Sequence, residues 1–496
     1  MAKCIMVQGT MSGAGKSLLV TGLCRAFLRR GLRVAPFKSQ NMALNSYITK
    51  DGLEIGRAQA AQAEAAGVEP DVRMNPILLK PSSDTGSQLI VNGEVRGDYR
   101  AADYFKLKKT LIPDILAAYR SLAAENDVIV IEGAGSPAEI NLREGDIVNM
   151  GLAQLVDAPV LLAGDIDRGG VFAQLYGTVA LLAPEEKARL IGTVINKFRG
   201  DVSLLQPGLT QLEALTGVPV LGVIPWLDVD IDDEDSLSRR LTRREGGRPV
   251  DIAVIRLPRI SNFTDFSPLE EHPALGVRYV GAVKDLGRPD LVILPGTKST
   301  MADLAWMRQN GLEAAVRRLA ASGVPVLGVC GGYQMLGQTL DDPDGVEGGG
   351  SMAGMGLLPC ATVFAGSKTR TRVTTAVEDG PFAGAKLDGY EIHMGRTRPL
   401  TDDAVPFARL SDGRAEGTVA GQVFGTYLHG LFDTGELTAA LARWLLSRKG
   451  LDPAAVSKPV DRNTYRQQQY DRLAEALEQH LDLTAIWRAM EERCHG

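Results

Sequence analysis

The chain has 496 residues, more than one ordinary hydrophobic core accommodates, so two or three domains are expected. It is 45% hydrophobic and 23% charged with a formal net charge of −6, the balance of a soluble globular protein and not that of a nucleic-acid binder. The five scattered cysteines form no Cys-x-x-Cys pair, the first residues lack the apolar core of a signal peptide, and no apolar run reaches membrane-spanning length, so a cytoplasmic enzyme is the expected class.

In chain order, "CIMVQG" (Cys4–Gly9) reads as a buried strand. The run "SLLVTGLCRAFLRRG" reads as a helix with Leu19, Leu23 and Phe27 on one face and Gly31 as its stop. The runs "RVAPFK", "DVIVIEG", "PVLLAGDID", "LIGTVINK" and "VPVLGVIP" alternate with helical patterns. Parallel strands with right-handed crossovers follow, an α/β sheet with helices on both faces. From Asp228 the text turns acidic and then basic, which predicts a linker over 228–249. A second α/β series opens with "DIAVIRLP", "VRYVGAV", "LVILPGT" and "VPVLGVC", and a helical stretch begins near Leu437. The expected plan is a nucleotide domain over 1–227, the linker, a second α/β domain over 250–436 and a helical segment over 437–496.

The run "GTMSGAGKS" (Gly9–Ser17) joins the first strand to the first helix. Glycines let backbone N–H groups converge on phosphate oxygens, a lysine adds positive charge, and a hydroxyl at the helix start suits Mg²⁺. Gly13, Gly15, Lys16 and Ser17 are therefore candidate ATP ligands. "DVIVIEGAGSP" delivers Glu132 at the carboxyl end of a buried strand, where ligands sit in open α/β sheets, and "GDIDRGG" offers Asp165. With Ser17 these two carboxylates are the metal-side candidates. The plainer alternatives are a glycine-rich turn for the loop and helix-capping or loop acids for the carboxylates.

Gly9 and Gly15 bracket five residues, one more than in the usual P-loop, and Met11 stands where sorting ATPases of the ParA and MinD type have a second lysine. With its extended loop and "EGAG", the first half resembles dethiobiotin synthetase and its relatives, which phosphorylate a carboxyl or carbamate group. That resemblance implies that Lys38 of "PFKSQNMALNS" faces the reacting group, with Asn41 of the same run on the substrate side. It also implies an adenine contact for Asn196 of "VINKFRGD". A solvated loop lysine is the plainer reading of Lys38.

"PVLGVCGGYQMLG" carries Cys330 between a strand and a helix-like run. A nucleophile on so tight a corner stands exposed above the sheet, and nearby backbone N–H groups, such as that of Gly331, stabilise an oxyanion. For a lone cysteine a buried structural role would be the plainer reading. Of the five histidines, His429 in "VFGTYLHGLFD" follows an apolar strand, whereas His393 in "DGYEIHMGRT" suits a loop-ordering or interface role better than that of the base. The pair Cys330–His429 resembles the site of class I glutamine amidotransferases, and "LPGTKST" resembles their oxyanion loop, with Gly296 offering a backbone N–H. Those domains usually carry a Glu two residues after the His. Leu431 occupies that position here, which leaves open what orients His429.

The order of these motifs, with "KSQNMALNS" and "AEINL", resembles the cobyric acid synthase family over nearly the whole chain. The resemblance implies a dethiobiotin-synthetase-type P-loop domain joined to a class I glutamine amidotransferase-like domain. It further implies amidation of the b, d, e and g carboxylates of adenosylcobyrinic acid a,c-diamide, with ATP, Mg²⁺ and L-glutamine as nitrogen donor. The partner is then a small corrinoid, with no nucleic acid and no membrane, and a homo-oligomer stays open. Two rivals are a cobyrinic acid a,c-diamide synthase and a regulatory P-loop ATPase with an inactive amidotransferase-like domain; retention of Cys330 and His429 weighs against the second.

Overall fold

The computed structural model describes residues 2–82, 85–231, 241, 247–401, 404–453 and 462–494. Most of the linker expected over 228–249, residues 454–461 of the C-terminal segment, and His495 lie outside the described residues.

The chain divides into two compact units, and neither is continuous in sequence. The first comprises Met1–Met42, Glu54–Glu234 and Tyr465–Gly496. Its main sheet has β1 (Lys3–Gly9), β2 (Val34–Phe37), β3 (Val128–Glu132), β4 (Val160–Asp165), β5 (Leu190–Phe198) and β6 (Val220–Pro225). Their spatial order is β6-β5-β4-β1-β3-β2, and every neighbouring pair is parallel. Strands such as "VIVIE" of β3 are buried along their whole length, because helices cover both faces of the sheet. The helix α1 (Lys16–Arg29) buries Leu19, Leu23 and Phe27, the expected stripe.

Two features of this unit are not apparent from local pattern. After β2 the chain builds a small sheet of Gln40–Met42, Ile77–Pro81, Gly86–Val91 and Glu94–Arg100. The last helical stretches also return to the sheet: Leu477, Ile486 and Met490 join Leu19, Leu23 and Phe27 in one core. Gly22 marks how closely α1 approaches them, since a Cβ there would come within 2.5 Å of Leu477 Cδ1.

The second unit comprises Ala43–Leu53 and Asp235–Thr464. Its main sheet has β7 (Val250–Ile255), β8 (Leu275–Val280), β9 (Leu291–Leu294), β10 (Val326–Val329), β11 (Thr418–Ala420) and β12 (Val423–Thr426). The order is β8-β7-β9-β10-β12-β11, parallel except at the β11–β12 hairpin. A long antiparallel ribbon, Cys360–Ala376 with Lys386–Pro399, forms a further sheet and pairs Tyr390 with His429. The helix Glu436–Arg448 buries Leu437, Leu441 and Leu445 in this unit's core. The C-terminal segment expected over 437–496 is thus shared between two cores.

Candidate functional site

The phosphate loop leaves β1 at Gly9 and enters α1 at Lys16. Gly13 and Gly15 hold φ of +77° and +95°, and a side chain at Gly15 would collide with the amide of Asn196. Glycine is the residue that takes this conformation without strain. Lys16 Nζ donates to the carbonyls of Met11 at 3.2 Å and Gly135 at 3.0 Å, so the amine lies across the loop.

Glu132, at the end of β3, is the hub of this site. Its Oε1 accepts from Ser17 Oγ at 2.9 Å and from Lys38 Nζ at 2.8 Å, and its Oε2 accepts from Gln62 Nε2 at 2.5 Å. Both partners of the Lys38–Glu132 ion pair are buried. Ser17, Lys38 and Glu132 are therefore brought together. Gln62 was not singled out from sequence; its signal is the pair Gln59 and Gln62 on one face of the helix Arg57–Ala65. Asn41 joins the same face through Nδ2, which donates to Gln59 Oε1 at 2.8 Å.

Asp165 is engaged elsewhere. It pairs with Lys197 Nζ at 2.7 Å and Arg168 Nε at 3.7 Å, and Lys197 also donates to the carbonyl of Gly13 at 2.6 Å. Asn196 is committed to backbone at both ends of its amide. Its Nδ2 donates to the Ala14 carbonyl at 3.0 Å, and its Oδ1 accepts from Lys197 N–H at 2.9 Å.

Among the described residues no group of three or more His, Cys, Asp or Glu side chains stands ready to hold a metal. A Mg²⁺ that arrives with a nucleotide needs few protein ligands, because phosphate oxygens and water supply the rest. The oxygens of Ser17 and Glu132, side by side below a glycine cradle, fit that requirement.

The second site is built on Cys330, between β10 and the short helix Gly331–Leu336. Its backbone holds φ +51° and ψ −109°, unusual for a residue with a side chain and characteristic of a strained nucleophile corner. The Cys330 N–H donates to the Thr426 carbonyl of β12 at 2.8 Å, which pins the corner to the sheet. Gly331 admits the neighbouring turn, since a Cβ there would lie 2.7 Å from Thr297 Cγ2. Gly296 in that turn faces His429, with 3.1 Å between an added Cβ and His429 Cε1. The four residues expected at this site, Cys330, His429, Gly296 and Gly331, are thus brought together.

His429 is buried, with the Cys330 side chain near enough to act on it electrostatically, while Cys330 Sγ itself lies 3.6 Å from the Ile392 carbonyl. Its Nδ1 lies 2.6 Å from Asp265 Oδ2, and Asp265 Oδ1 accepts the Gly430 N–H at 3.0 Å. Burial alone would pull the imidazole down. The attraction of the Asp265 carboxylate, the hydrogen bond to it and the neighbouring Cys330 outweigh it and push His429 up to about 10. The strand that delivers His429 is anchored by Glu416, whose carboxylate accepts from Thr426 Oγ1 at 2.8 Å and the Tyr427 N–H at 2.6 Å.

Leu431, where a glutamate would usually stand, is wholly buried among apolar residues. The carboxylate comes instead from Asp265, on the 3-10 turn Phe263–Phe266 of "SNFTDFSPL". Sequence reading missed it. The available signal was an acid set between two phenylalanines, since a buried carboxylate requires a partner. His393 stacks on Tyr427 with ring centroids 3.7 Å apart, and its Nδ1 lies 2.6 Å from the Gly395 carbonyl, which fits an ordering role.

No helix among the described residues is long and apolar enough to cross a membrane. Residues 5–237 match the family of CobQ/CobB/MinD/ParA nucleotide binding domains, and residues 251–437 match that of CobB/CobQ-like glutamine amidotransferase domains. A solved glutamine amidotransferase is 19% identical with a TM-score of 0.31, covering 40% of this chain and 99% of its own. A cobyric acid synthase of Ruminiclostridium cellulolyticum is 56% identical, covering 99% of this chain and 98% of that protein. One of Lachnoclostridium phytofermentans is 52% identical over 99% of this chain and 100% of its own length. One of Photorhabdus laumondii is 52% identical over 99% of each. Identity of this order over essentially full length on both sides is decisive: the chain belongs to the cobyric acid synthase family.

Proposed function

We propose that the protein amidates the b, d, e and g carboxylates of adenosylcobyrinic acid a,c-diamide to give adenosylcobyric acid, using ATP and the side-chain nitrogen of L-glutamine. It is a glutamine-hydrolysing carbon–nitrogen ligase that works in the cytoplasm. The observation that carries this reading is the buried His429–Asp265 pair beside the Cys330 corner, in a chain that also holds a glycine cradle with Lys16, Ser17 and Glu132.

A carboxylate is a poor acyl donor, because its leaving group would be oxide. ATP with Mg²⁺ supplies the phosphoryl group that makes it an acyl phosphate and the charge that neutralises the transferred oxygens. Ser17 and Glu132 would hold the metal. Gly13, Gly15 and Lys16 bind the phosphates, and Lys38 and Asn41 face the substrate. Asp165 holds Lys197 against the Gly13 carbonyl and so braces the loop, as Asn196 does through the Ala14 carbonyl.

At the other site Cys330 Sγ, its proton already held on His429, attacks the glutamine side-chain amide. The imidazolium gives that proton to the departing ammonia, and the resulting thioester is hydrolysed by water deprotonated at His429. Asp265 keeps the imidazole in the orientation and charge state this exchange needs. Backbone N–H groups at Gly296 and Gly331 stabilise the tetrahedral oxyanion. The ammonia then displaces phosphate from the activated carboxyl.

Mass spectrometry of the corrinoid formed with ATP and glutamine tests the substrate. Four amides added to the a,c-diamide are expected; two amides added to cobyrinate would replace this reading with the diamide synthase.

A further inference from the structure

Asn262 immediately precedes the 3-10 turn that carries Asp265 and holds a left-handed backbone with φ +50°. Its buried amide ties separate stretches of chain together. Oδ1 accepts the Ser46 N–H at 3.1 Å, and Nδ2 donates to Tyr390 Oη at 3.3 Å. Tyr390 Oη donates in turn to the Ser46 carbonyl at 2.8 Å. These bonds close a ring, and the ring fixes the amide's orientation. Flipped, the amide would set NH₂ against the Ser46 N–H, donor against donor.

The ring touches both Asp265 and His429. Through the turn it continues into Asp265. Through Tyr390 it reaches His429, whose imidazole stacks on the tyrosine ring at 5.5 Å between centroids with 26° between planes. Ser46 belongs to Ala43–Leu53, the stretch that the chain places in the second unit from within its nucleotide-binding sequence. That stretch is well seated: Ile48 is fully buried with Tyr390 and Ile392, and Tyr47 meets Tyr390 edge-on at 5.7 Å.

We infer that Ala43–Leu53 is a working part of the glutaminase site, with Asn262 and Tyr390 as positioning residues that transmit its hold to Asp265 and His429. The inference rests on the reading of Cys330 and His429 as the glutamine-hydrolysing pair. Simple packing would need the apolar contacts of Ile48 and Tyr47 alone. Here the backbone polar groups of Ser46 are also matched to two side chains, one leading into the Asp265 turn and the other stacked on the His429 imidazole. Proton exchange between Cys330, glutamine and His429 depends on that alignment, and displacements of about 1 Å cost up to about 100-fold in rate.

The test uses two variants of the full chain. Asn262→Gly removes the amide and keeps a residue at ease with positive φ, and Tyr390→Phe removes one oxygen and keeps the stacked ring. Each is expected to lower kcat for glutamine hydrolysis by about 10-fold or more, with KM for glutamine altered by less than about 3-fold. The double variant is expected to be little worse than either single, because both open the same ring. Synthesis driven by ammonium salts should be unchanged, which reports that the chain is folded. Should Asn262→Gly lose that activity too, Tyr390→Phe decides alone. Wild-type kcat in Tyr390→Phe, a loss confined to KM, or singles whose losses multiply in the double variant would each overturn the inference. Glutamine hydrolysis that persists in Cys330→Ala would instead overturn the underlying reading, whatever the ring variants do.

Discussion

At the scale of the residue, Cys330 and His429 are legible as candidate chemistry in the sequence, whereas the acid that meets His429 is not. A thiol on a Gly-rich corner and a histidine at a strand end are local signals. Asp265 is 164 residues from His429, and no spacing rule connects them. Asp265→Asn keeps the shape and removes the charge. Glutamine hydrolysis is expected to fall by roughly 10²- to 10⁴-fold, with ammonia-driven synthesis retained, as a kinetic comparison of the two nitrogen sources would register. The same change removes the attraction that raises His429 to about 10, so the basic limb of the glutaminase pH profile should move toward neutrality. The sign for stability is also set. The imidazole rises from an ordinary 6.5 to about 10 on folding, so its contribution is complete below pH 6.5 and lost as pH climbs through about 10. Thermal melts across that window should decline less steeply in Asp265→Asn.

At the scale of the element, the strands and the first helix follow the pattern of their apolar residues, but their neighbours do not. The helix α1 shows a Leu19, Leu23, Phe27 stripe, yet Gly22 has no evident purpose until Leu477 is found against it. Tyr470 Oη also donates to Glu64 Oε2 at 3.0 Å, and Arg25 pairs with Asp471 at 2.8 Å, so the late helix is joined to the early ones by several kinds of contact. Leu477→Ala should cost about 2–5 kcal/mol in denaturant unfolding of the first unit. Cys330-dependent glutamine hydrolysis should survive under conditions where ATP-dependent synthesis fails. Equal loss of both activities would argue that this helix matters to the whole chain rather than to the first core.

At the scale of the whole molecule, the two chemistries are separable by substitution. Cys330→Ala should abolish synthesis with glutamine and spare synthesis with ammonium salts, while Lys16→Ala should abolish both; product assays with each nitrogen source read this directly. If a folded Cys330→Ala protein also loses the ammonia-driven reaction, the division of labour fails. Local patterning by itself determined the two α/β sheets, the phosphate cradle, Glu132 at a strand end, and the cysteine corner with its histidine. Each of these is written in short local stretches, where apolar periodicity and glycine placement act over a few residues. Only the tertiary structure decided which carboxylate meets His429, that Gln62 and Lys38 share Glu132, that Asp165 is bound to Lys197, and that the last helices close the first core. It also decided that Ala43–Leu53 leaves the first unit for the second. These are pairings between buried polar or apolar groups far apart in sequence. Burial obliges each group to find a partner, but only the folded path of the chain determines which one.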